Sequence, residues 1–501
     1  MIALKRHKGP NMLQTLADQR TLERTWPIAA ILAALAVAIH IAIPLPSDVA
    51  WLLTVDERLL AGQHLYVDIL ETNPPMAAWL YFLPALLGHL TGIRAEFFVV
   101  LETAAVALLA LRLTEAMLAP LRLFPTAIRA LAVAVVLLLP VASFAQREHF
   151  ALFGLLPALG ISVLRYAGHT PPRWAIAAAG VGTALAISIK PHEVLVIFMI
   201  SLLAAWHLRS WRPIFAPEHL LTALLVAAYV GVIAVAYPAF FTVIMPAAEI
   251  VYLPIRISLE RLLLQPSALF VGAALVAVPL VYRGRLDQTP LPTLLVATIG
   301  FALVYVIQGK GWAYHLLPGT TTAMLMLLVP QPRQQGVPSH AVITGLGALI
   351  ALATLAPTAS ALLHPDPLVA AVGRFGPGRK IAGIVSDLAI ASPLHRELGD
   401  TFVDSAPFQW RAAGAIELAA QTTDPVSKAK LLDYADADRQ TLAHDLLASP
   451  PDLILAQSQP GIFDWLVWAR QDPKIAALLG GYRSVDVLPE DGSIVTILKR
   501  Q

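Results

Sequence analysis

Between residues 27 and 357 the chain is cut into a succession of long apolar runs, and this limits it to very few folds. After a first run at 27–44, others lie at 76–92, 96–117, 127–144, 150–166, 174–190, 193–208, 218–238, 267–282, 290–308, 313–329 and 340–357. A bilayer core about 30 Å thick is crossed by a helix of about 20 apolar residues, with a range of about 17–25. Lipid offers the backbone no hydrogen-bond partner, so segments of this kind cross as helices. Only 14% of the 501 residues are charged, against about 25% in soluble domains. The expected fold is therefore mainly α, a polytopic membrane helical bundle. Cysteine is absent, which excludes disulfides, thiolate nucleophiles and cysteine-ligated metals. A net charge of +2 supplies no field for nucleic acid.

Basic residues set the expected topology. Residues 1–26 are polar and mildly basic, and read as a cytoplasmic N-terminal segment. No small-residue cleavage site follows the first run, which reads as an uncleaved span. Arg112, Arg122 and Arg129 mark one cytoplasmic boundary, and Arg165 with Arg173 another. His207, Arg209 and Arg212, then Arg283 and Arg285, then Arg333 mark the rest. With the loop at 45–75 outside, only one crossing fits between it and Arg112. The segment 76–92 begins after Pro74-Pro75, is short, and carries Trp79, Tyr81 and His89. It is expected to be an external juxtamembrane helix rather than a crossing. About eleven spans and an external C-terminus follow. The membrane domain then covers 27–360.

From about residue 365 the charge density becomes that of a soluble protein. Residues 365–501 read as an external C-terminal α/β module. Strands are expected at Ile381–Val385, Leu453–Ala456, Ser484–Leu488 and Ile494–Leu498, and helices at 408–421 and 427–447.

With this topology four polar clusters fall on the external face. The first is the stretch from Asp56 to Tyr81, which holds Asp56, Glu57, Asp68 and Glu71 and a Pro-Pro break. The others are Gln146-Arg147-Glu148-His149, Lys190-Pro191-His192-Glu193, and Gln308-Gly309-Lys310-Gly311-Trp312-Ala313-Tyr314-His315. Each has a plainer reading: a solvated loop, an ordinary Arg–Glu pair, a lysine snorkelling from a helix end, a glycine turn beside an interfacial aromatic belt. Their shared side favours a site, because a topology fixed without them brings all four together. Ionisable groups at membrane depth cost about 2.5–3.5 kcal/mol each on insertion scales and tend to mark function. Carboxylates among lysines, an arginine and histidines suit an anionic lipid-linked substrate: the cations hold phosphate and a carboxylate takes a proton.

The first span, the acid pair Asp56-Glu57, the segment Gly62-Gln-His-Leu-Tyr66-Val-Asp68 and Asn73-Pro74-Pro75 together resemble the GT-C superfamily. These are integral-membrane glycosyltransferases that use polyprenyl-phosphate-linked sugars, among them protein mannosyltransferases and the lipid A aminoarabinose transferase. The resemblance covers about residues 27–330. It implies a catalytic acid in the first external loop, here Asp56 with Glu57, and a second acid in the next, here Glu148. Asn73 stands where the family has a histidine before the two prolines. The implied reaction is an inverting transfer in the bacterial cytoplasmic membrane, on its external side, from a polyprenyl-phosphate sugar to a glycan, lipid or protein acceptor. The resemblance implies a metal-independent or weakly metal-dependent transfer and no other cofactor. Arg147, Lys190 and Lys310 would meet the donor phosphate. His192 and His315 would bond phosphate or sugar, and Trp312 and Tyr314 would stack on a sugar ring. The rival reading is a lipid-linked-saccharide flippase, which would show inverted repeats and polar groups near the bilayer midplane. No repeat is visible, and the ionisable residues gather at one face.

Overall fold

The structure is a computed structural model that describes residues 26–123, 126–282, 285–329, 366–490 and 492–501. The expected N-terminal segment and the expected last span at 340–357 lie outside the described residues.

The chain enters through α1 (Trp26–Ala42) and turns by 78° into α2 (Ser47–Leu60). Pro44 and Pro46 end the first helix, and Ser47-Asp48 open the second with an acid in its first turn, where the helix dipole favours it. The expected loop is thus largely a helix. From Val49 to Asp56 every residue of α2 is buried, because other elements cover it on all sides. Residues 76–92 form two short helices, α3 (Met76–Trp79) and α4 (Phe82–Thr91), the second stopped by Gly92 in a left-handed conformation. Ten residues rise only about 15 Å, about half a bilayer core, so α4 is too short to cross.

The bundle continues with α5 (Ala95–Leu118), α6 (Thr126–Val133), α7 (Arg147–Tyr166), α8 (Arg173–Ile189), α9 (Val194–His207) and α10 (Pro217–Ala236). It ends with α11 (Phe240–Tyr252), α12 (Pro266–Val281), α13 (Leu291–Gln308) and α14 (Leu317–Leu327). Among the described residues, four helices are long and apolar enough to cross alone, and the bent pair α1–α2 would add a fifth. Six more are apolar but only 10–17 residues long. α7 and α8 cross backbone to backbone at Gly154 and Gly182. A Cβ on either would sit 2.3 Å from the other's carbonyl oxygen, so only glycine permits this approach.

Residues 366–501 form the α/β module. Its six-stranded sheet runs β2-β1-β3-β6-β5, with the short β4 paired to β3. The strands are β1 (Lys380–Ile384), β2 (Thr401–Phe402), β3 (Leu453–Gln459), β4 (Phe463–Asp464), β5 (Tyr482–Glu490) and β6 (Ser493–Arg500). β1 is parallel to β2 and β3, whereas β3 meets β6 antiparallel. Helices α15 (Leu388–Leu398), α16 (Trp410–Gln421) and α17 (Pro425–Ala448) pack around it. The four expected strands and both expected helices are present.

The module is anchored to the start of the chain. Arg58 donates to the carbonyls of Asp404, at 2.7 Å, and Phe402. Arg396 on α15 grips Glu57 with both ends of its guanidinium, at 2.6 and 2.9 Å, and reaches Glu96 at 3.0 Å. On the far side, α16 lies against α11 at Gly414, where a Cβ would meet the Val251 carbonyl oxygen at 1.7 Å. A continuous set of buried apolar side chains runs from the bundle into the module.

Candidate active site

Four connections of the bundle meet beneath the module. The first is the segment after α2. Tyr66 takes a left-handed backbone (φ 69°), unusual for a bulky residue. It is held there by its N–H to the Ile69 carbonyl (2.7 Å) and its hydroxyl to the Asn73 carbonyl (2.6 Å). This turn delivers Glu71 and Asn73. Glu71 accepts from the Trp51 indole at 2.5 Å and from the Asn73 backbone and side-chain amides at 2.7 and 2.5 Å.

The second is the start of α7. Ala145 is also left-handed (φ 59°), and its carbonyl accepts from the Tyr81 hydroxyl at 2.7 Å. Its N–H donates to His149, which is therefore a buried brace. Arg147 and Glu148 leave this first turn about 100° apart and take different partners. Arg147 donates to Asn73 Oδ1 and to Asp48 Oδ1, the latter at 3.1 Å. Glu148 pairs with Lys190 at 2.8 Å and lies 3.5 Å from His315 Nε2.

Lys190 closes α8 with an extended backbone before Pro191, the third connection. Burial draws its ammonium below the usual lysine range, and Glu148 pulls it back up. His192 follows Pro191, its Nε2 buried without a hydrogen-bond partner. The fourth connection holds Lys310 between two left-handed glycines. Its ammonium donates to the carbonyls of Tyr252 (2.6 Å) and Ile255 (2.7 Å) and sits 4.2 Å over the Tyr252 ring. Burial first, then Arg256, lower it to about 8, while Glu417 acts upward. Trp312 and Tyr314 stack with centroids 5.7 Å apart, and the His315 ring lies 4.8 Å from that of Tyr314.

These groups surround a cavity of about 910 Å³ between bundle and module. Asp48, Glu71, Asn73, Arg147, Lys310, Trp312 and Tyr314 line its bundle side. Glu148, Lys190 and His315 form a buried layer just behind Arg147. The wall therefore offers a carboxylate for a proton, three cations (Arg147, Arg256 and Lys310) for an anion and a stacked aromatic face.

Eight of the ten residues expected from the sequence gather here: Arg147, Lys310, Trp312 and Tyr314 at the wall, and Glu148, Lys190, His192 and His315 behind it. Asp56 and Glu57 do not, which corrects the expectation that this acid pair faces the site. Eight residues along α2 from Asp48, Asp56 lies about 12 Å further down the helix axis. It is fully buried, with neither carboxylate oxygen hydrogen-bonded. Burial, reinforced by Glu57 and Glu102, pushes its carboxyl up to about 9. Glu57 is taken by Arg396. The acid that reaches the cavity from α2 is Asp48. Its signal in the sequence was slight, an acid in the first turn of a helix opened by Pro46-Ser47, which by itself reads as a capping residue.

The chain aligns with two crystal structures of ArnT from Cupriavidus metallidurans, one bound to undecaprenyl phosphate and one in the apo state. Against the first the TM-score is 0.52, with 95% of this chain and 97% of the other covered; against the second it is 0.51, with 94% and 97%. The fold is that of ArnT. That fold agrees with the resemblance drawn from the sequence. Identity to ArnT is 14% in both cases, so the ArnT likeness concerns the path of the chain and not its side chains. The sequence matches no family model and no curated protein.

Proposed function

We propose that this protein is an integral-membrane glycosyltransferase that moves a sugar from a polyprenyl-phosphate donor to an acceptor hydroxyl at the external membrane surface. The observation that carries the reading is the Asp48–Arg147 pair at the wall of a large cavity, in a chain with the fold of a protein crystallised with undecaprenyl phosphate. The positive-inside pattern of the arginines supports the external side.

In the proposed step the acceptor oxygen attacks the anomeric carbon from the face opposite the phosphate, which inverts that centre. A new bond forms between carbon and acceptor oxygen as the bond to the phosphate oxygen breaks. The acceptor's proton passes to Asp48, and polyprenyl phosphate leaves with the bonding electron pair. Arg147 and Lys310 neutralise the charge that grows on the leaving phosphate, typically the largest single contribution to such catalysis. Arg147 also orients Asp48, and Asn73 fixes Arg147 from its other side. Glu148, Lys190 and His315 hold that first turn of α7 from behind. Trp312 and Tyr314 present a face for the sugar ring. The step needs no metal, since fixed cations supply the charge.

The test is purified protein with a panel of undecaprenyl-phosphate sugars, followed by mass analysis of the released lipid phosphate. Release that requires both a particular sugar and an acceptor supports the proposal. A protein that moves intact donor across a vesicle membrane without releasing lipid phosphate is a transporter, and the proposal is then wrong.

A further inference from the structure

The side of the cavity facing Arg147 belongs to the module, and its chemistry is of another kind. β1 and β3 are parallel neighbours, with Ile384 beside Ala456. Both finish at the cavity, where Ser386 follows β1 and Gln457 and Gln459 end β3. In open α/β sheets the crevice beyond the carboxyl ends of parallel strands is where ligands bind. Here that crevice opens onto the proposed transfer site.

Three features define what would fit. Gln457 is buried, and its Oε1 accepts the Ser386 N–H at 2.8 Å and the Ser386 hydroxyl at 3.0 Å. The amide is thereby fixed in orientation, with its N–H groups left over. Trp410 and Trp465 also line the cavity, only 1% and 3% exposed, and the indole N–H of each is buried without a hydrogen-bond partner. A buried donor without an acceptor calls for one from elsewhere. Lastly, the cations are sorted. The bundle wall carries Arg147, Arg256 and Lys310, whereas the described module residues that line the cavity include Asp387 and Glu417 and no lysine or arginine.

A wall of amides, hydroxyls, carboxylates and aromatic rings binds groups that both donate and accept hydrogen bonds and have an apolar face. On this wall a phosphorylated or carboxylated acceptor would meet like charge, and the described residues of the wall include no cation to receive it. We propose that the module wall is the acceptor subsite and that it takes an uncharged saccharide. This rests on the transferase reading above and narrows it. Asp387 and Glu417 would accept from sugar hydroxyls, the two indoles would donate to them, and Gln459 would border the ring.

The test uses full-length protein in nanodiscs and saturation-transfer NMR. The probes are neutral di- and trisaccharides and the 6-phosphorylated forms of the same sugars, with undecaprenyl phosphate binding measured on each preparation. The expected result is binding by neutral members only, weakened about tenfold in Gln459→Ala and in Trp465→Phe through the loss of one buried hydrogen bond. Undecaprenyl phosphate affinity should stay unchanged in both. Gln459→Lys, at a half-buried position, should fold normally and admit the phosphorylated sugars. The inference is overturned if no saccharide binds, if phosphorylated forms bind as well as neutral ones, or if the variants leave binding unchanged. Wild-type protein that binds saccharides but not undecaprenyl phosphate would instead overturn the donor assignment.

Discussion

Asp48 and Asp56 lie on one helix, eight residues apart, in opposite settings. Asp48 sits in the first turn of α2, partly exposed to a large cavity, with the Arg147 guanidinium 3.1 Å away. Asp56 is enclosed, has no hydrogen-bond partner, and has Glu57 and Glu102 as its charged neighbours. One carboxylate has a cation and room for a substrate. The other has neither, and burial favours its neutral form. The comparison teaches that an acid pair beside a membrane span marks a site only when a cation and open space reach it. On this helix those two conditions meet at the acid that looks like a cap.

The largest expected effect comes from giving a third acid the surroundings of Asp56. Lys190 and Glu148 are paired, with their side chains 11% and 1% exposed. Lys190→Ala leaves Glu148 buried and unpaired and should cost about 3–5 kcal/mol of stability. Thermal unfolding reads this, and the double variant Lys190→Ala/Glu148→Gln should recover much of the loss. A Lys190→Ala protein as stable as wild type would mean that the pair does not hold α7.

The next effect is on the pH profile. With Lys310 lowered to about 8 by burial, its charge fades as pH rises through that value. Donor kcat/KM should then fall above about pH 8, by up to about tenfold per unit. Lys310→Arg keeps its charge and should push that limb upward by more than one unit. An alkaline limb that persists at the same pH in Lys310→Arg belongs to another group.

Asp56 should show the smallest effect on turnover and a pH-dependent one on stability. Its folded pKa of about 9 lies above the unfolded value of 3.8. The folded state therefore holds the proton more tightly. The stability this contributes is complete below the unfolded value, and it declines as pH rises until the folded value is passed. Between about pH 4 and 9 the melting temperature of wild type should fall relative to Asp56→Asn, by several degrees across the range. Parallel melting curves for the two proteins would show that Asp56 ionises freely in the fold.

Much of the fold was legible because its causes are local or compositional. Apolar runs bounded by proline gave the helices, and the shift in charge at about 365 gave the module with its main strands. The run after Pro74-Pro75 is short in the sequence, and in the structure it is broken into helices of 4 and 10 residues. The site was legible to the extent that it uses connections: Arg147, Glu148, Lys190 and Lys310 stand out as charges at the ends of apolar helices. The pairings within it were not. The contact of Arg147 with Asn73 and Asp48 spans 74 and 99 residues in the chain, and nothing in the local pattern encodes it. The covering of α2 is equally remote: α15, more than 300 residues away, takes one face, where His395 lies 3.2 Å from Thr54 and Arg396 captures Glu57, and Glu102 on α5 is the charged neighbour of Asp56 from elsewhere in the bundle. An acid that looks solvated beside its neighbours in sequence is enclosed on a helix that later elements cover.

The central claim is that chemistry occurs at the Asp48 end of α2. The most direct measurement is turnover of an undecaprenyl-phosphate sugar by wild type, Asp48→Asn and Asp56→Asn side by side, with undecaprenyl phosphate affinity determined for each. Loss of a general base lowers the rate by about 10²–10⁴. The account predicts that loss in Asp48→Asn, with donor affinity within about threefold of wild type, and near-normal turnover in Asp56→Asn at neutral pH, about threefold (1.4 kcal/mol being tenfold) being the margin for an indirect effect. Normal turnover in Asp48→Asn together with its loss in a folded Asp56→Asn would contradict it and return the base to the buried acid pair.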